Sequence, residues 1–480
     1  MPSTISFILD NRITTIDFSK YGSPSPTTTV LNYLRSLPNH KGVKEGCAEG
    51  DCGACTVVLA DSGSNGHLRY RAVNSCLVFL PMIHGKQLIT VENLKSNKGE
   101  LHPVQKALVE AHGTQCGFCT PGIVMSLFAL YKNQPKAGSG EILTALSGNL
   151  CRCTGYQPII EAGKKISLRK TEDQFDRNSE ALKKMLNSIP REGIAIKNDR
   201  QKYFQPVNVQ EALKLKMKYP QAYLLSGATD IALKVTKDFE TLSEIIDLSA
   251  VPELQGFYQD DDYLYLGASA DLATLQSLVQ KFLPALADMF SVYGSLQIRN
   301  LATLGGNLGT SSPIGDALPV LMAYQASILL EGTNGSREIG LDKFFKGYRL
   351  TDLNPDEIIT RIKIPIATNG AIVRSYKISK RKDLDISTVS SGFCLQLNGK
   401  RETKEIILAF GGMANRVKRA VSTENYLRGK HWERDTVEEA MKLIDQDFSP
   451  ISDVRGSAEF RRVAAKNLLL KFWYETHNGM

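Results

Sequence analysis

The sequence contains no apolar run approaching the ~18 residues that suggest a membrane-crossing helix, although 42% of its 480 residues are hydrophobic. Its start, Met1-Pro-Ser-Thr-Ile-Ser-Phe-Ile-Leu-Asp, lacks the basic residues and long apolar stretch of a secretory leader, so a cytoplasmic chain is expected. The formal charge of +8 is scattered among acids. Without a basic stripe carrying aromatics, it excludes the usual nucleic-acid surface. There is no Walker A sequence and no G-x-G-x-x-G after a strand, so neither a P-loop nor a Rossmann dinucleotide fold is supported. Internal repeats and low-complexity segments are also lacking. The length suggests roughly three domains.

Cysteine, by contrast, is plentiful: nine residues. In a reducing compartment such a pattern points to metal binding or catalysis rather than disulfides. Cys47-x4-Cys52-x2-Cys55, followed after twenty residues by Cys76, has the spacing of plant-type [2Fe–2S] ferredoxins. Gly46, Gly50 and Gly53 let a loop wrap closely round a cluster with its N–H groups toward sulfur. A structural zinc site prefers paired C-x2-C knuckles, which the C-x4-C half fits poorly. A second set comprises Cys116-Gly-Phe-Cys119 and Cys151-Arg-Cys153. Each pair adjoins an expected helix, whose free N–H groups and dipole favour thiolate. Alone, this set suits zinc as well as iron; the ferredoxin-like loop beside it favours a second [2Fe–2S] cluster. Cys394 is left over as a buried apolar residue.

Alternation at Ile5/Phe7/Leu9 and Ile13/Ile16/Phe18 around Asp10-Asn11 predicts a hairpin, and Thr29 caps a helix over 30–37. Pro103 opens a helix that ends before Gly113. A second, over 121–131, places Val124, Leu127, Phe128 and Tyr131 on one face; helices over 141–146 and 159–166 complete a four-helix set. Lys164, Lys165, Arg169, Lys170, Glu172 and Asp173 crowd the next stretch, which reads as an interdomain linker with a short helix over 180–186. Beyond Tyr203 a helix over 209–219 precedes a strand over 222–225 that runs into Ser226-Gly-Ala-Thr-Asp230. A glycine turn between strand and helix can aim N–H groups at phosphate, although an ordinary turn is the plainer reading. A second such turn, Thr303-Leu-Gly-Gly-Asn307, strengthens the first. Strands over 386–397 and 406–409, the turn Gly411-Gly-Met-Ala-Asn-Arg416 and helices over 437–445 and 457–474 follow.

The Cys47–Cys76 set, followed by Gln115-Cys-Gly-Phe-Cys-Thr-Pro-Gly and Gly148-Asn-Leu-Cys-Arg-Cys-Thr-Gly-Tyr, resembles the iron–sulfur part of the molybdenum hydroxylases, the xanthine dehydrogenase family. All eight cysteines match, and the resemblance covers nearly the whole chain. It implies a multidomain α+β fold: a β-grasp ferredoxin-like domain over 1–90, a four-helix [2Fe–2S] domain over 91–166, a linker over 167–199, a vanillyl-alcohol-oxidase-type FAD-binding α+β domain over 200–372 and a C-terminal α/β flavoprotein domain over 373–480. Cys47, Cys52, Cys55 and Cys76 would hold one cluster; Cys116, Cys119, Cys151 and Cys153 would hold the other.

Leu224, Leu225, Ser226, Gly227, Ala228, Thr229, Asp230 and Ile231 would form the FAD pyrophosphate loop, with Gly-Ala-Thr-Asp where the family carries Gly-Asn-Thr-Glu. Tyr293, Thr303, Leu304, Gly305, Gly306, Asn307, Asp316, Ile359 and Lys377 fall at flavin-contact positions. Four of these also have plain readings: core aromatic, helix-capping acid, core aliphatic and surface lysine for Tyr293, Asp316, Ile359 and Lys377. Gln115 would face the pterin of a molybdenum cofactor.

No strictly catalytic side chain is expected in this chain. The resemblance implies electrons passing from a large partner subunit's molybdenum centre through two [2Fe–2S] clusters to FAD and NAD+, in hypoxanthine and xanthine oxidation (purine catabolism). The chain ends before a molybdenum module, implying a bacterial-type assembly of two small and two large subunits. The alternatives are the same role with an aldehyde or N-heterocycle as substrate, and a zinc-binding scaffold without redox activity.

Overall fold

The computed structural model describes residues 1–63, 66–96, 98–168, 171–366 and 370–477; Arg169 and Lys170 lie outside them. Among the described residues no helix is long and apolar enough to cross a membrane. The chain divides into a first unit of Met1–Leu215, Gln221–Ala250 and Ser295–Ala302 and a second of Lys216–Pro220, Val251–Gly294 and Thr303–Met480.

In the first unit, β1 (Thr4–Leu9) and β2 (Arg12–Asp17) form the expected hairpin, with Asp10 and Asn11 both at positive φ (52° and 58°). Acidic and amide side chains tolerate that turn, whose twist matches the strands. α1 (Val30–Ser36) starts where the Thr29 hydroxyl accepts the Asn32 N–H at 3.2 Å. With β3 (Thr56–Ser62), β4 (Leu68–Asn74) and β5 (Gln87–Ile89), the hairpin makes a mixed sheet of order β2-β1-β5-β3-β4. This is the β-grasp arrangement.

Four helices follow: α2 (Pro103–Glu110), α3 (Thr120–Asn133), α4 (Ser139–Leu146) and α5 (Gln157–Leu168). α3 is buried from Gly122 to Lys132 on every side rather than on one face. It packs on α2 and α4 and also on β3 and β4, so its polar side chains must find partners inside.

The segment expected as a linker is folded where it is described. α6 (Gln174–Arg177) and α7 (Ser179–Ser188) follow Asp173, and Leu182 and Leu186 pack with Ile8. β6 (Ile194–Lys197) is already the first strand of a sheet of order β6-β7-β9-β8, with β7 (Lys202–Gln205), β8 (Tyr223–Leu225) and β9 (Glu244–Asp247). α8 (Val209–Lys218) and α9 (Ile231–Thr236) flank β8 in sequence.

Among its described residues the second unit contains two larger antiparallel sheets, besides a two-stranded ribbon of Phe345–Gly347 and Leu350–Thr351. One is ordered Phe257–Gln259, Tyr263–Gly267, Ile358–Pro365, Ser327–Gly332, Gly335–Gly340. The other runs Ile372–Ile378, Val389–Leu397, Thr403–Gly411, Lys418–Arg419. Phe393, Phe410, Phe472 and Trp432 build the core between this sheet and the closing helices, the last of which (Ala458–Thr476) is capped by Ser457. Cys394 is buried on the central strand, and that burial pushes its thiol up to about 12, as fits an apolar role.

Candidate functional site

The two four-cysteine sets are each assembled as two sulfur pairs. In the first, Cys55 and Cys76 lie 3.4 Å apart and the Cys52 thiol bonds the Cys47 sulfur. The N–H groups of Glu49, Asp51 and Cys52 converge on Cys47 Sγ at 3.5, 3.3 and 3.3 Å. Gly50 and Gly53 take φ of 78° and 69°, the left-handed turns that aim those N–H groups inward. The Cys52 thiol, with the N–H groups of Cys52, Glu49 and Asp51, pulls the Cys47 pKa down to about 5 against the opposing effect of burial, while Cys52 itself is raised by Cys47. Cys76 lowers Cys55 and is itself raised. Lys237 also donates to the Cys47 carbonyl at 3.2 Å.

The second set repeats the pattern. Cys153 and Cys116 are 3.5 Å apart, and Cys119 pairs with Cys151. The Phe118 N–H and then Cys153 lower Cys116. Burial works upward on Cys151, but the Thr154 hydroxyl and neighbouring N–H groups outweigh it, leaving about 7. Burial, then Cys151, pushes Cys119 up to about 12, and Cys153 is raised by Cys116.

In every pair, therefore, one sulfur favours thiolate while the other keeps the shared proton. Metal ligation releases such protons. Two thiolate pairs per set is the donor arrangement that two irons require, so the residues present fit a [2Fe–2S] cluster in each. The sets differ in access: Cys55 and Cys76 are buried, whereas Gln115, Cys116, Phe118, Arg152 and Cys153 are exposed.

The residues expected to contact flavin fall in both units. In the first, β8 carries Leu224 and Leu225 into Ser226–Asp230, and Ile231 opens α9. Ala228 is buried at φ 62°, and a Cβ on Gly227 would strike the Leu301 carbonyl, so the turn needs its small residues. The buried Ser226 hydroxyl has no protein partner among the described residues, as a hydroxyl meant for a polar ligand would be left.

In the second, Thr303 caps the turn Leu304–Thr310 by accepting the Gly306 N–H at 3.1 Å. A Cβ on Gly305 would lie 2.6 Å from the Ala268 oxygen. Asn307 donates to the Tyr293 hydroxyl at 3.1 Å, and its own Oδ1 is buried without a partner among the described residues. Ile359 is buried, and a Cβ on Gly309 would touch it. Asp316 is no helix-capping acid: its carboxylate pairs with Lys377 at 2.9 Å and accepts from Ser387 at 2.6 Å. Nor is Lys377 a surface lysine; its side chain is 4% exposed and also donates to the Val292 carbonyl. In each unit taken by itself, small residues at close approaches and one orphaned polar atom, Ser226 Oγ or Asn307 Oδ1, suit contact with a polar ligand such as FAD.

Residues without a role in the sequence reading also belong to these sites. Asn149 and Gly148 stand within a quoted motif, but Ser126 and Gln297, which bond Asn149, have no local signal.

Family models match along the chain: "2Fe-2S iron-sulfur cluster binding domain" over 19–80, "[2Fe-2S] binding domain" over 90–164, "FAD binding domain in molybdopterin dehydrogenase" over 197–367 and "CO dehydrogenase flavoprotein C-terminal domain" over 374–476. Xanthine dehydrogenase of Emericella nidulans is 33% identical over 98% of this chain and 38% of its own length. Aldehyde oxidase 2 of Cavia porcellus is 32% identical over 94% of this chain, again 38% of its own length. The chain thus spans under two fifths of the curated relatives it matches. Among solved structures, a carbon monoxide dehydrogenase chain from Hydrogenophaga pseudoflava superimposes with a TM-score of 0.54 at 27% identity, covering 57% of this chain and 96% of that one. With two [2Fe–2S] domains preceding a FAD-binding domain, the chain belongs to the molybdenum hydroxylase family, as its iron–sulfur and flavin part.

Proposed function

We propose that this chain is the electron-transfer part of a xanthine dehydrogenase, taking electrons from a molybdenum centre held by a partner subunit and delivering them through two clusters and FAD to NAD+. The observation that carries this reading is the 33% identity to a xanthine dehydrogenase across 98% of the chain, through both cysteine sets and both flavin loops. When bound, the clusters exchange single electrons and the flavin works in one- or two-electron units.

Cys116, Cys119, Cys151 and Cys153 hold the cluster nearer the partner, because exposed cysteines, Cys116 and Cys153, occur in their set and not in the other. Cys47, Cys52, Cys55 and Cys76 hold the inner cluster, with loop N–H groups compensating thiolate charge. Ser226, Gly227, Asn307 and their neighbours bind and orient FAD. Exposed Gln115, beside Cys116, contacts the partner's pterin; a Gln115→Ala complex with unchanged electron transfer from the partner would refute that contact.

The match to an aldehyde oxidase at 32% identity makes an aldehyde the alternative substrate. Purifying the native complex and comparing hypoxanthine with aldehydes, NAD+ being the acceptor, decides the matter. NADH formed from hypoxanthine supports the proposal; turnover of aldehydes alone overturns it.

A further inference from the structure

Both cysteine loops of the first unit close around one side chain, Asn149, which is 3% exposed. Its Nδ2 donates to the Gly53 carbonyl at 3.1 Å and to Thr56 Oγ1 at 3.3 Å. Its Oδ1 accepts from Ser126 Oγ at 2.6 Å and from Gln297 Nε2 at 3.1 Å. Two donors and two lone pairs exhaust the capacity of a carboxamide.

The partners come from separate parts of the chain. Gly53 lies between Cys52 and Cys55, and Thr56 follows Cys55. Ser126 is on α3, which begins immediately after Cys119. Gln297, fully buried on the turn Leu296–Arg299, shares the N–H aimed at Asn149 with Ser126 Oγ at 2.8 Å and gives its other N–H to the Ala145 carbonyl at 2.9 Å. Next to Asn149, the Leu150 N–H reaches the Cys52 carbonyl at 3.0 Å, so one hydrogen bond separates the residue before Cys151 from a ligand of the other set.

The junction has no slack. A Cβ on Gly53 would strike the Gly148 carbonyl, one on Gly122 the Gly53 carbonyl, and one on Gly148 the Gln297 amide oxygen. Backbone therefore meets backbone, and neither cysteine loop can shift without breaking a hydrogen bond that water does not replace.

We propose that Asn149 is a positioning residue that fixes the separation and mutual orientation of the two [2Fe–2S] clusters, with Gln297 as its anchor. This rests on the reading of the chain as a two-cluster electron carrier. Asn149→Asp keeps the shape but puts an acceptor against the Gly53 carbonyl; Asn149→Ala removes the link between the Gly53 carbonyl and Gln297 and leaves the Ser126 hydroxyl without its acceptor.

The test uses the full-length protein carrying both clusters, reduced and frozen for electron paramagnetic resonance. Two nearby paramagnetic clusters split one another's signals, and the dipolar part of that splitting falls with the cube of their separation. Asn149→Asp and Asn149→Ala, at wild-type iron content, are expected to lose or change the splitting and to shift the midpoint potential of at least one cluster. Leu108→Ala, which opens a cavity in the helical core on α2 away from the junction, lowers stability but leaves the splitting as in wild type.

Variants of Asn149 that hold both clusters with unchanged splitting overturn the inference. If neither variant loads, Gln297→Leu decides: altered splitting supports the anchor, unaltered splitting overturns it. A wild-type chain that never shows a pair of [2Fe–2S] signals overturns the functional reading itself.

Discussion

Substituting Asp173 by Asn tests the packing logic of the helical domain. Its carboxylate, 3% exposed, accepts from Lys132 Nζ at 2.9 Å and from His102 Nε2 at 3.1 Å. Because His102 Nδ1 accepts the Val104 N–H, the ring proton sits on Nε2 and points at Asp173. Asp173 also caps α6, accepting the Phe175 and Asp176 N–H groups. Burial opposes its ionisation, yet His102 and Lys132 hold the carboxyl well below the ordinary 3.8.

Removing one partner of a buried ion pair costs about 3–5 kcal/mol. Lys132 retains Asp176 at 2.6 Å, and Asn still caps, so about 3 kcal/mol is expected. At about 1.4 kcal/mol per tenfold, that is roughly a 100-fold loss of hydrogen-exchange protection in α2 and α3. A local readout is needed because a chain of several units need not unfold in one step. Lys132→Met in the Asp173→Asn background removes the buried cation that has lost one of its two carboxylates, so the double variant is expected to lose less than the two single variants added together. Strict additivity, or less than a threefold effect of Asp173→Asn, refutes the reasoning. The sign for pH follows: a depressed carboxylate contributes fully above the ordinary carboxylate range, and that contribution declines as the pH falls below it.

Two glycines give sharper expectations. Gly53→Ala sets a Cβ against the Gly148 carbonyl at φ 69°, and iron content is expected to fall in both cysteine sets, since the loops meet there; normal iron analysis would contradict this. Gly227→Ala collides with the Leu301 carbonyl, so flavin absorbance is expected to drop while the iron–sulfur spectrum persists. Equal loss of both, or of neither, would count against the assignment of the loop.

The chemistry-bearing parts were legible in the sequence because their signals are local. Cysteine spacing and the glycine turns depend on neighbours a few residues away, and so do the Asp10-Asn11 turn and the Thr29 cap. Tertiary partners were not legible. Asp173 reads as solvated charge in a linker until His102 and Lys132, 71 and 41 residues distant, fold onto it. The same holds for Lys377 with Asp316 and for Gln297 with Asn149 across 148 residues. α3 showed its apolar face, but not that β3 and β4 also pack on it.

The metal and flavin content of the purified chain, measured with its spectrum during stepwise reduction, tests the assignment of the two cysteine sets and the flavin loops most directly. Two irons and two acid-labile sulfides are predicted for each four-cysteine set, with one FAD and two distinguishable one-electron cluster signals. A colourless protein containing zinc, with neither iron nor flavin, would contradict it.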